Sequence, residues 1–258
     1  MATANDPAVI IGLGEMGSVF ARGLLRLGRP VYPAVRNTDL DALARELPAP
    51  AVALIAVAEG DLQPALEQMP PAWRDRLALL QNELLPADLA DLDRPTVISV
   101  WFEKKPGREP KIILPSPVYG PAAGLLRDAL GSLGIPVRVL DDAPALAFEL
   151  VLKNLYILTS NIAGLRTGGT VGELWHDHRE FARAVAAEVI TLQEALTGAR
   201  FDHAALVDGM SAAFDGDPAH QCMGRSAPAR LARALAHADR LGLALPTLRE
   251  LGREQAGA

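Results

Sequence analysis

Three glycines near the start of the chain have the spacing that lets a phosphate group approach a peptide backbone. They belong to one six-residue run, Gly12-Leu13-Gly14-Glu15-Met16-Gly17. The run follows a short apolar segment at residues 9–12 and leads into an amphipathic segment at 16–27, which predicts a strand, a turn and a helix. The first glycine then permits the sharp bend, the second admits a pyrophosphate, and the third lets the helix pack on the sheet. The helix N-terminus would bind the phosphates; a glycine-rich turn without a ligand is the structural alternative.

Arg36 follows the second predicted strand, where dinucleotide-binding proteins distinguish their cofactors. NAD-specific sites normally carry Asp or Glu about 20 residues after the glycine motif, to bind the ribose hydroxyls. A guanidinium instead forms bidentate, charge-assisted hydrogen bonds with a 2′-phosphate, to which Asn37 and Thr38 can add further bonds. The pattern favours NADP(H). The alternative is that Arg36 is a solvated charge and that Asp39 or Asp41 binds the ribose of NAD.

The elements that must position these residues alternate between strands and helices up to about residue 142. The predicted strands are residues 9–12, 31–35, 52–57, 77–81, 97–102, 112–114 and 137–140, and the predicted helices are 16–27, 40–47, 62–68 and 124–133. This alternation indicates βαβ units that form a parallel sheet. The first three strand segments are continuously apolar, which is typical of strands buried on both faces.

The character of the chain changes after residue 144. Long Ala- and Leu-rich stretches with few β-branched runs predict helices at residues 145–165, 181–196, 203–213 and 227–241. The turn sequence Asp-Asp-Ala-Pro at 141–144 separates the two regions. We therefore predict an α/β fold with two domains, a Rossmann-type doubly wound sheet at 1–142 and an all-helical domain at 143–258.

Composition narrows the function classes. A formal net charge of −6 and a pI near 5.4 argue against a general role in binding nucleic acid or an anionic membrane. Cys222 is the only cysteine, so no internal disulfide forms, which fits a reducing compartment. The apolar run at 9–11 lies too near the start for a signal peptide, and the one at 49–58 is too short to span a bilayer. We expect a cytoplasmic protein.

Further segments carry a pattern that extends along the chain. They are Leu80-Gln81-Asn82, residues 112–121, the segment from Glu149 through Lys153 to Asn161, and Gly172-Glu173-Leu174. Together with the glycine run, they resemble the ketopantoate reductase (2-dehydropantoate 2-reductase) family over nearly the whole chain. The resemblance implies a divergent member, with a Rossmann domain followed by an all-helical domain related to that of phosphogluconate dehydrogenase. It also implies an NADPH-dependent reductase that transfers hydride to a small carbonyl compound.

The resemblance assigns roles to three residues at matching positions. Lys153 falls where the family has its catalytic lysine, whose ammonium can stabilise the charge on a carbonyl oxygen and deliver a proton. Asn161 matches a helix asparagine that holds the substrate, and Asn82 matches an asparagine that contacts the cofactor beside the reaction centre, where substrate also binds. The alternatives are a lysine that only snorkels or pairs with Glu149 four residues earlier, and asparagines that only cap or turn the chain.

The chain departs from the family at several substrate positions. Ile157 replaces the first of two helix asparagines, Val171 replaces another asparagine, and Glu83 stands where the family has a glycine. Residues 221–228 contain no clear counterpart of the family's C-terminal serine and glutamate. A polar group left buried without a partner costs about 1–3 kcal/mol. We therefore expect little or no turnover of ketopantoate, and a preference for a less polar oxo acid, ketone or imine.

The same departures support a second class of function, a catalytically silent NADP(H)-binding protein that senses redox state or binds a partner. In an enzyme, Arg166 or Arg225 could bind a substrate carboxylate. No metal is predicted, because His176 and His178 have no further ligand nearby at catalytic-zinc spacing. The sequence leaves the oligomeric state open, with a homodimer as one alternative.

Overall fold

A computed structural model describes residues 6–257 of the 258-residue chain. The chain divides into two compact units, one ending at Glu149 and the other beginning at Leu150. This division falls inside the helix Ala143–Thr167. The boundary expected at 142/143 lies at the start of that helix, and as a domain boundary it remains a prediction. Among the described residues, no helix is long and apolar enough to cross a membrane.

The unit that ends at Glu149 is built around a sheet. Its strands are β1 (Ala8–Ile11), β2 (Val31–Ala34), β3 (Val52–Ile55), β4 (Leu77–Leu79), β5 (Thr96–Ile98), β6 (Phe102–Glu103), β7 (Lys111–Ile112), β8 (Ser116–Tyr119) and β9 (Val137–Val139). Its α-helices are α1 (Glu15–Arg26), α2 (Leu40–Glu46), α3 (Leu62–Glu67) and α4 (Ala123–Gly131). Seven strands form one sheet in the order β2-β1-β3-β4-β5-β8-β9, and β6 and β7 form a separate hairpin.

The register of the first strands determines where the glycine turn lies. Ile11 at the end of β1 pairs in parallel with Ala34 of β2 and with Ile55 of β3. The carboxyl ends of these three strands therefore meet at one edge of the sheet, which is where ligands bind in open α/β folds. β1 and β3 are buried along their whole length, as expected. The expectation is wrong for β2, because Tyr32 and Pro33 are exposed and the missing N–H of Pro33 suits an edge strand.

The sheet is mixed rather than parallel throughout. β8 pairs antiparallel with β5, with Val97 opposite Tyr119, and in parallel with β9. The strand predicted at 112–114 is wrong as a sheet strand, because only Ile112 lies in a strand, within the β6/β7 hairpin. Two prolines, at 115 and 117, conceal β8 from sequence reading, since proline cannot donate to a strand ladder. The carbonyl of Pro117 nevertheless accepts a hydrogen bond from Ser99 N, at 2.9 Å.

Helices α1 and α4 pack closely on the sheet. Phe20 and Leu24 of α1 are fully buried in the core of this unit. Gly23 lies directly against Ala129 of α4, where a Cβ would collide with the Ala129 carbonyl. The predicted Rossmann-type α/β fold, followed by helices, is confirmed.

The unit that begins at Leu150 is helical. Its elements are the remainder of α5 (Ala143–Thr167), then α6 (Val171–Asp177), α7 (Arg179–Thr197), α8 (His203–Gly216), α9 (Ala227–Leu241) and α10 (Pro246–Ala256). Helices α6 and α10 were not among the predicted helices. The carboxylate of Glu188 accepts hydrogen bonds from Thr247 N and Leu248 N, at 2.8 and 2.9 Å, and so fixes the start of α10 against α7.

Candidate active-site residues

The glycine turn has the geometry that each glycine was predicted to provide. Gly12 has a φ of 91°, and a Cβ there would lie 2.7 Å from the carbonyl oxygen of Ala56. Its N–H donates to Ala34 O at 2.9 Å, which joins the turn to β2. Gly17 lies against the Gly12 carbonyl with no room for a side chain. A Cβ on Gly14 would meet no atom of residues 6–257 within 4 Å, so this face of the turn is open to a ligand.

The three residues between the glycines differ in their side-chain surroundings. Leu13 is 44% exposed, and Met16 packs against the core of the sheet unit. Glu15 is the first residue of α1, and its Oε2 lies 2.7 Å from the Nζ of Lys104. Leu13 and Met16 therefore offer a phosphate mainly their backbone, whereas Glu15 brings an ion pair to the edge of the turn.

Arg36 and Asn37 follow β2 at the edge of the sheet that carries the glycine turn. Both side chains are exposed, and neither makes a hydrogen bond or ion pair within residues 6–257. The hydroxyl of Thr38 accepts from Val35 N at 2.9 Å, and Asp39 caps α2 by accepting from its backbone at 2.9 Å. The Arg36 guanidinium is therefore available to a 2′-phosphate. Asp39 has a structural role as the N-cap of α2.

Asn82 lies just beyond β4, on the same edge of the sheet. The preceding Gln81 is buried, and its Nε2 donates to Ile55 O at 2.8 Å, which fixes the strand end. Asn82 itself is exposed and forms no hydrogen bond among the described residues. Glu83 has a φ of 63°, the left-handed region that favours glycine. A glycine, which the family has at this position, adopts this conformation without strain. This chain forms the same turn with a glutamate.

Lys153 lies on α5 in the helical unit and is partly buried. Burial of its ammonium, followed by repulsion from Arg230, lowers the pKa of Lys153 to about 7. Its Nζ lies 5.5 Å from the ring centre of Tyr156, one turn further along the helix. Glu149 Oε1 accepts from Arg138 Nη2 at 2.5 Å, and the alternative of a Glu149–Lys153 ion pair stays a prediction.

Asn161 uses both ends of its amide inside the helical unit. Its Oδ1 accepts from Arg230 Nη1 at 2.8 Å, and its Nδ2 donates to the carbonyl of Cys222 at 3.0 Å. Asn161 therefore connects α5, α9 and the loop before α9. We call Lys153, Asn161 and Arg230 the Lys153 cluster. Sequence reasoning missed Arg230, because nothing in its own segment distinguishes it from the other arginines of α9.

Gly164 and Gly169 position the loop that carries Cys222. A Cβ on Gly164 would lie 2.7 Å from the Cβ of Cys222, so only glycine lets α5 approach so closely. Cys222 N also donates to Gly169 O at 2.9 Å. The thiol is fully buried, and burial together with the charge of Glu173 raises its pKa to about 11. Cys222 is therefore a packing residue rather than a nucleophile.

The Gly172-Glu173-Leu174 segment supports the same loop from the other side. Gly172 N donates to Pro218 O at 2.9 Å, and a Cβ on Gly172 would crowd that oxygen. Glu173 forms a capping box with Thr170, its Oε2 accepting from Thr170 N at 2.7 Å. These hydrogen bonds hold the pKa of Glu173 below its usual range. The motif therefore fixes the start of α6 and its contact with the loop at Pro218.

The other candidates have separate surroundings. Arg166 forms ion pairs with Glu250 and Glu254 and lies over the ring of Phe181, at 4.7 Å from its centre. The two ion pairs join Arg166 to helix α10, which is a structural role. Arg225 is exposed on the loop before α9.

The apolar replacements are part of the helical core. Ile157 is 7% exposed on α5, and Val171 is fully buried at the start of α6. His176 and His178 are both exposed at the end of α6. The structure therefore brings together Lys153, Asn161 and the unforeseen Arg230 in the helical unit, and the glycine turn, Arg36 and Asn82 along one edge of the sheet.

Comparisons with known proteins agree with this architecture. No protein-family model and no curated protein sequence matches the chain. Solved structures do match over almost its whole length. A 2-dehydropantoate 2-reductase from Methylococcus capsulatus has 14% identity and a TM-score of 0.71, with 97% of this chain and 96% of that one covered. The dimeric ketopantoate reductase from Staphylococcus aureus has 15% identity and a TM-score of 0.67, with 97% and 98% covered.

A third similar structure belongs to an enzyme with a different name. The complex of D-mandelate dehydrogenase with NADH has 13% identity and a TM-score of 0.66, with 96% of each chain covered. The chain thus has the fold of the ketopantoate reductases and of D-mandelate dehydrogenase, a Rossmann-type unit followed by helices. The resemblance read from the sequence is confirmed at the level of the fold.

Proposed function

We propose that this protein is an NADP(H)-dependent oxidoreductase of the cytoplasm that reduces the carbonyl group of a small oxo acid. The observation that carries the proposal is the Lys153 cluster, in which a lysine with a pKa of about 7 lies within the field of an arginine held by Asn161. A lysine that titrates near neutral pH can give or take a proton under working conditions. The fold of the reductases named above supports the same class.

The residues of the sheet unit fit a dinucleotide. The open face at Gly14 admits a pyrophosphate close to the backbone, and the start of α1 offers its N–H groups to the phosphates. Arg36, with Asn37 beside it, is free to pair with a 2′-phosphate, which favours NADP(H) over NAD(H). When bound, a nicotinamide dinucleotide supplies or accepts the hydride. Asn82 is the proposed side-chain contact at the carboxyl end of β4.

Lys153 is the proposed acid in the reduction. Its protonated ammonium stabilises the negative charge that grows on the carbonyl oxygen and then transfers a proton from Nζ to that oxygen. In the reverse direction the neutral amine accepts the hydroxyl proton. Because its pKa is about 7, both forms are populated near neutral pH.

Arg230 is the proposed ligand of the substrate carboxylate. A guanidinium stays charged at all working pH values and matches a carboxylate through two parallel hydrogen bonds. Asn161 Oδ1 accepts from Nη1 of Arg230 at 2.8 Å, and Asn161 Nδ2 donates to the Cys222 carbonyl, so one nitrogen of the guanidinium has a fixed partner. We therefore expect a carboxylate on the substrate, and Asn161 acts on it through Arg230.

The test is an assay of NADPH oxidation over matched pairs of oxo acids and neutral ketones, with imines as a third group. We expect turnover of oxo acids and little or none of ketopantoate, whose hydroxyl would lie against apolar side chains such as Ile157. Efficient reduction of ketopantoate would refute the substrate claim. Titration with NADPH and NADH tests the cofactor claim, and equal affinities would remove the argument from Arg36.

One observation favours a second candidate, a catalytically silent NADP(H)-binding protein. Both ends of the Asn161 amide are used within the protein, and Ile157 is apolar, so two family positions that hold substrate are not free to do so. If NADPH binds tightly and no carbonyl compound is reduced, this candidate replaces the reductase.

A further inference from the structure

The β6/β7 hairpin is fastened along helix α1 by three contacts. The ring of Phe102, which is buried, lies 6.4 Å from the ring of Phe20, measured between centres. The carboxylate of Glu109 accepts two hydrogen bonds from the guanidinium of Arg22, at 2.8 and 3.3 Å. The third contact is the ion pair between Lys104 and Glu15. The hairpin tip therefore has a fixed position relative to the start of α1.

Lys104 is the cation that this hairpin brings to the glycine turn. Its Nζ lies 2.7 Å from Glu15 Oε2 and donates to the carbonyl of Lys105 at 2.8 Å. The Lys104 side chain is only 12% exposed, whereas that of Glu15 is 43% exposed. The Lys104 side chain is therefore largely covered, and its ammonium has two specific partners, the Glu15 carboxylate and the Lys105 carbonyl.

The position of Glu15 creates an electrostatic conflict with a bound dinucleotide. Glu15 is the first residue of α1 and directly follows Gly14, whose open face is where a pyrophosphate would come closest to the backbone. A carboxylate and a pyrophosphate are each favoured at a helix N-terminus, but two anions at the same terminus repel each other. A cation between them turns the repulsion into attraction for both. Lys104 is the ion-paired cation on Glu15.

We propose that Lys104 binds the pyrophosphate of the dinucleotide, with Glu15 and the Lys105 carbonyl holding its ammonium in place. The proposal rests on the dinucleotide binding proposed above and adds a residue outside the glycine motif. Lys104 and Arg36 then have separate tasks. Lys104 contacts a group that NADPH and NADH share, whereas Arg36 contacts the 2′-phosphate that only NADPH carries.

Equilibrium titration with three ligands separates these tasks. NADPH and NADH both contain the pyrophosphate, and adenosine 2′-monophosphate has the 2′-phosphate alone. We expect Lys104→Ala to weaken NADPH and NADH by a similar factor of about 10, the low end for one charge-assisted hydrogen bond, and to leave adenosine 2′-monophosphate unchanged. Arg36→Ala should weaken NADPH and adenosine 2′-monophosphate but not NADH.

Arg108→Ala is the matched control for loss of a positive charge. Arg108 lies on the same hairpin tip, and its side chain is exposed and makes no hydrogen bond or ion pair within residues 6–257, so its removal should change each affinity less than twofold. The thermal midpoints of all variants show whether the hairpin is intact. If Lys104→Ala lowers the midpoint, Lys104→Gln, which keeps the length of the side chain, is measured beside it.

The double variant Glu15→Gln/Lys104→Ala distinguishes contact from simple neutralisation. If Lys104 binds the pyrophosphate, the double variant stays weak for both dinucleotides. Restoration of full affinity would overturn the proposal, because Lys104 would then serve only to cancel the charge of Glu15. Unchanged affinity in Lys104→Ala would also overturn it. If the unmodified protein binds neither NADPH nor NADH, the proposed function itself fails.

Discussion

The glycine turn and the Lys153 cluster differ in how their parts are distributed along the chain. The turn is formed by six consecutive residues, and its geometry depends on backbone conformation and on side chains that are absent. The cluster combines α5 with α9, and its hydrogen bond between Arg230 and Asn161 spans 69 residues. A glycine turn of this kind can be read from local sequence, whereas a polar cluster in a helical unit depends on packing.

The largest expected effect belongs to the cluster. Lys153→Ala should lower the rate of hydride transfer by about 10²–10⁴-fold, because the general acid and the oxyanion partner are lost together. The affinity for NADPH should stay unchanged, since the residues proposed to bind it lie in the sheet unit. Single-turnover oxidation of NADPH and a separate binding titration measure the two quantities. A rate within threefold of the unmodified protein would contradict the role of Lys153.

The next largest expected effect concerns the binding of the substrate carboxylate by Arg230. Arg230→Ala should raise KM for an oxo acid by about 10–100-fold, the value of a charge-assisted hydrogen bond pair, and should change KM for a matched neutral ketone much less. Asn161→Ala leaves the guanidinium present but removes its fixed partner, so we expect a smaller increase in KM. Steady-state kinetics on the matched pair provides the measurement. Equal losses on the acid and the ketone would mean that Arg230 is structural.

The pH dependence of the reaction reports the charge of Lys153 directly. Reduction needs the ammonium, so kcat/KM for reduction should fall as the pH rises through about 7, and oxidation of the alcohol should show the opposite trend. Repulsion from Arg230 lowers this pKa, so Arg230→Gln should move the midpoint of the profile to higher pH. An unchanged midpoint would mean that Arg230 does not influence the pKa of Lys153, and the two residues would then not act as one cluster.

The smallest expected effect is a change in stability at Glu83, in the sheet unit. Glu83 occupies the left-handed backbone region next to Asn82, which costs a non-glycine residue free energy. Glu83→Gly should raise the free energy of unfolding by about 0.5–1 kcal/mol, measured in urea. Asparagine also tolerates this conformation, so the free energy of unfolding of Glu83→Asn should lie between those of the unmodified protein and Glu83→Gly. A destabilised glycine variant would mean that side-chain contacts of Glu83 outweigh the backbone term.

Local features of the sheet unit could be predicted well. The first strands, the glycine turn and helix α1 follow from patterns in a continuous segment, and the structure has them within a few residues of the expected bounds. Strand β8 could not be found this way, because two prolines at 115 and 117 hide a strand that tertiary pairing stabilises. The exposure of β2 depends equally on its place at the sheet edge.

The cluster was only half visible in the sequence. Lys153 and Asn161 were found because they fall at matching positions in the resemblance to the ketopantoate reductase family, and their roles remain predictions. Arg230 does not stand out, since its importance comes from the fold that brings it to Asn161. The same limit applies to Lys104, whose partner Glu15 lies 89 residues away in the sequence.

The close packing of Cys222 against Gly164 gives the protein a built-in reporter. The single thiol of the chain is fully sealed, and the loop that contains it also supplies the carbonyl that fixes Asn161. A thiol reagent can reach Cys222 only when this loop leaves α5, so the labelling rate measures how often the support of Arg230 opens. The rate at which Cys222 is labelled in the unmodified protein therefore measures how often the proposed anion site opens, and no engineered cysteine is needed.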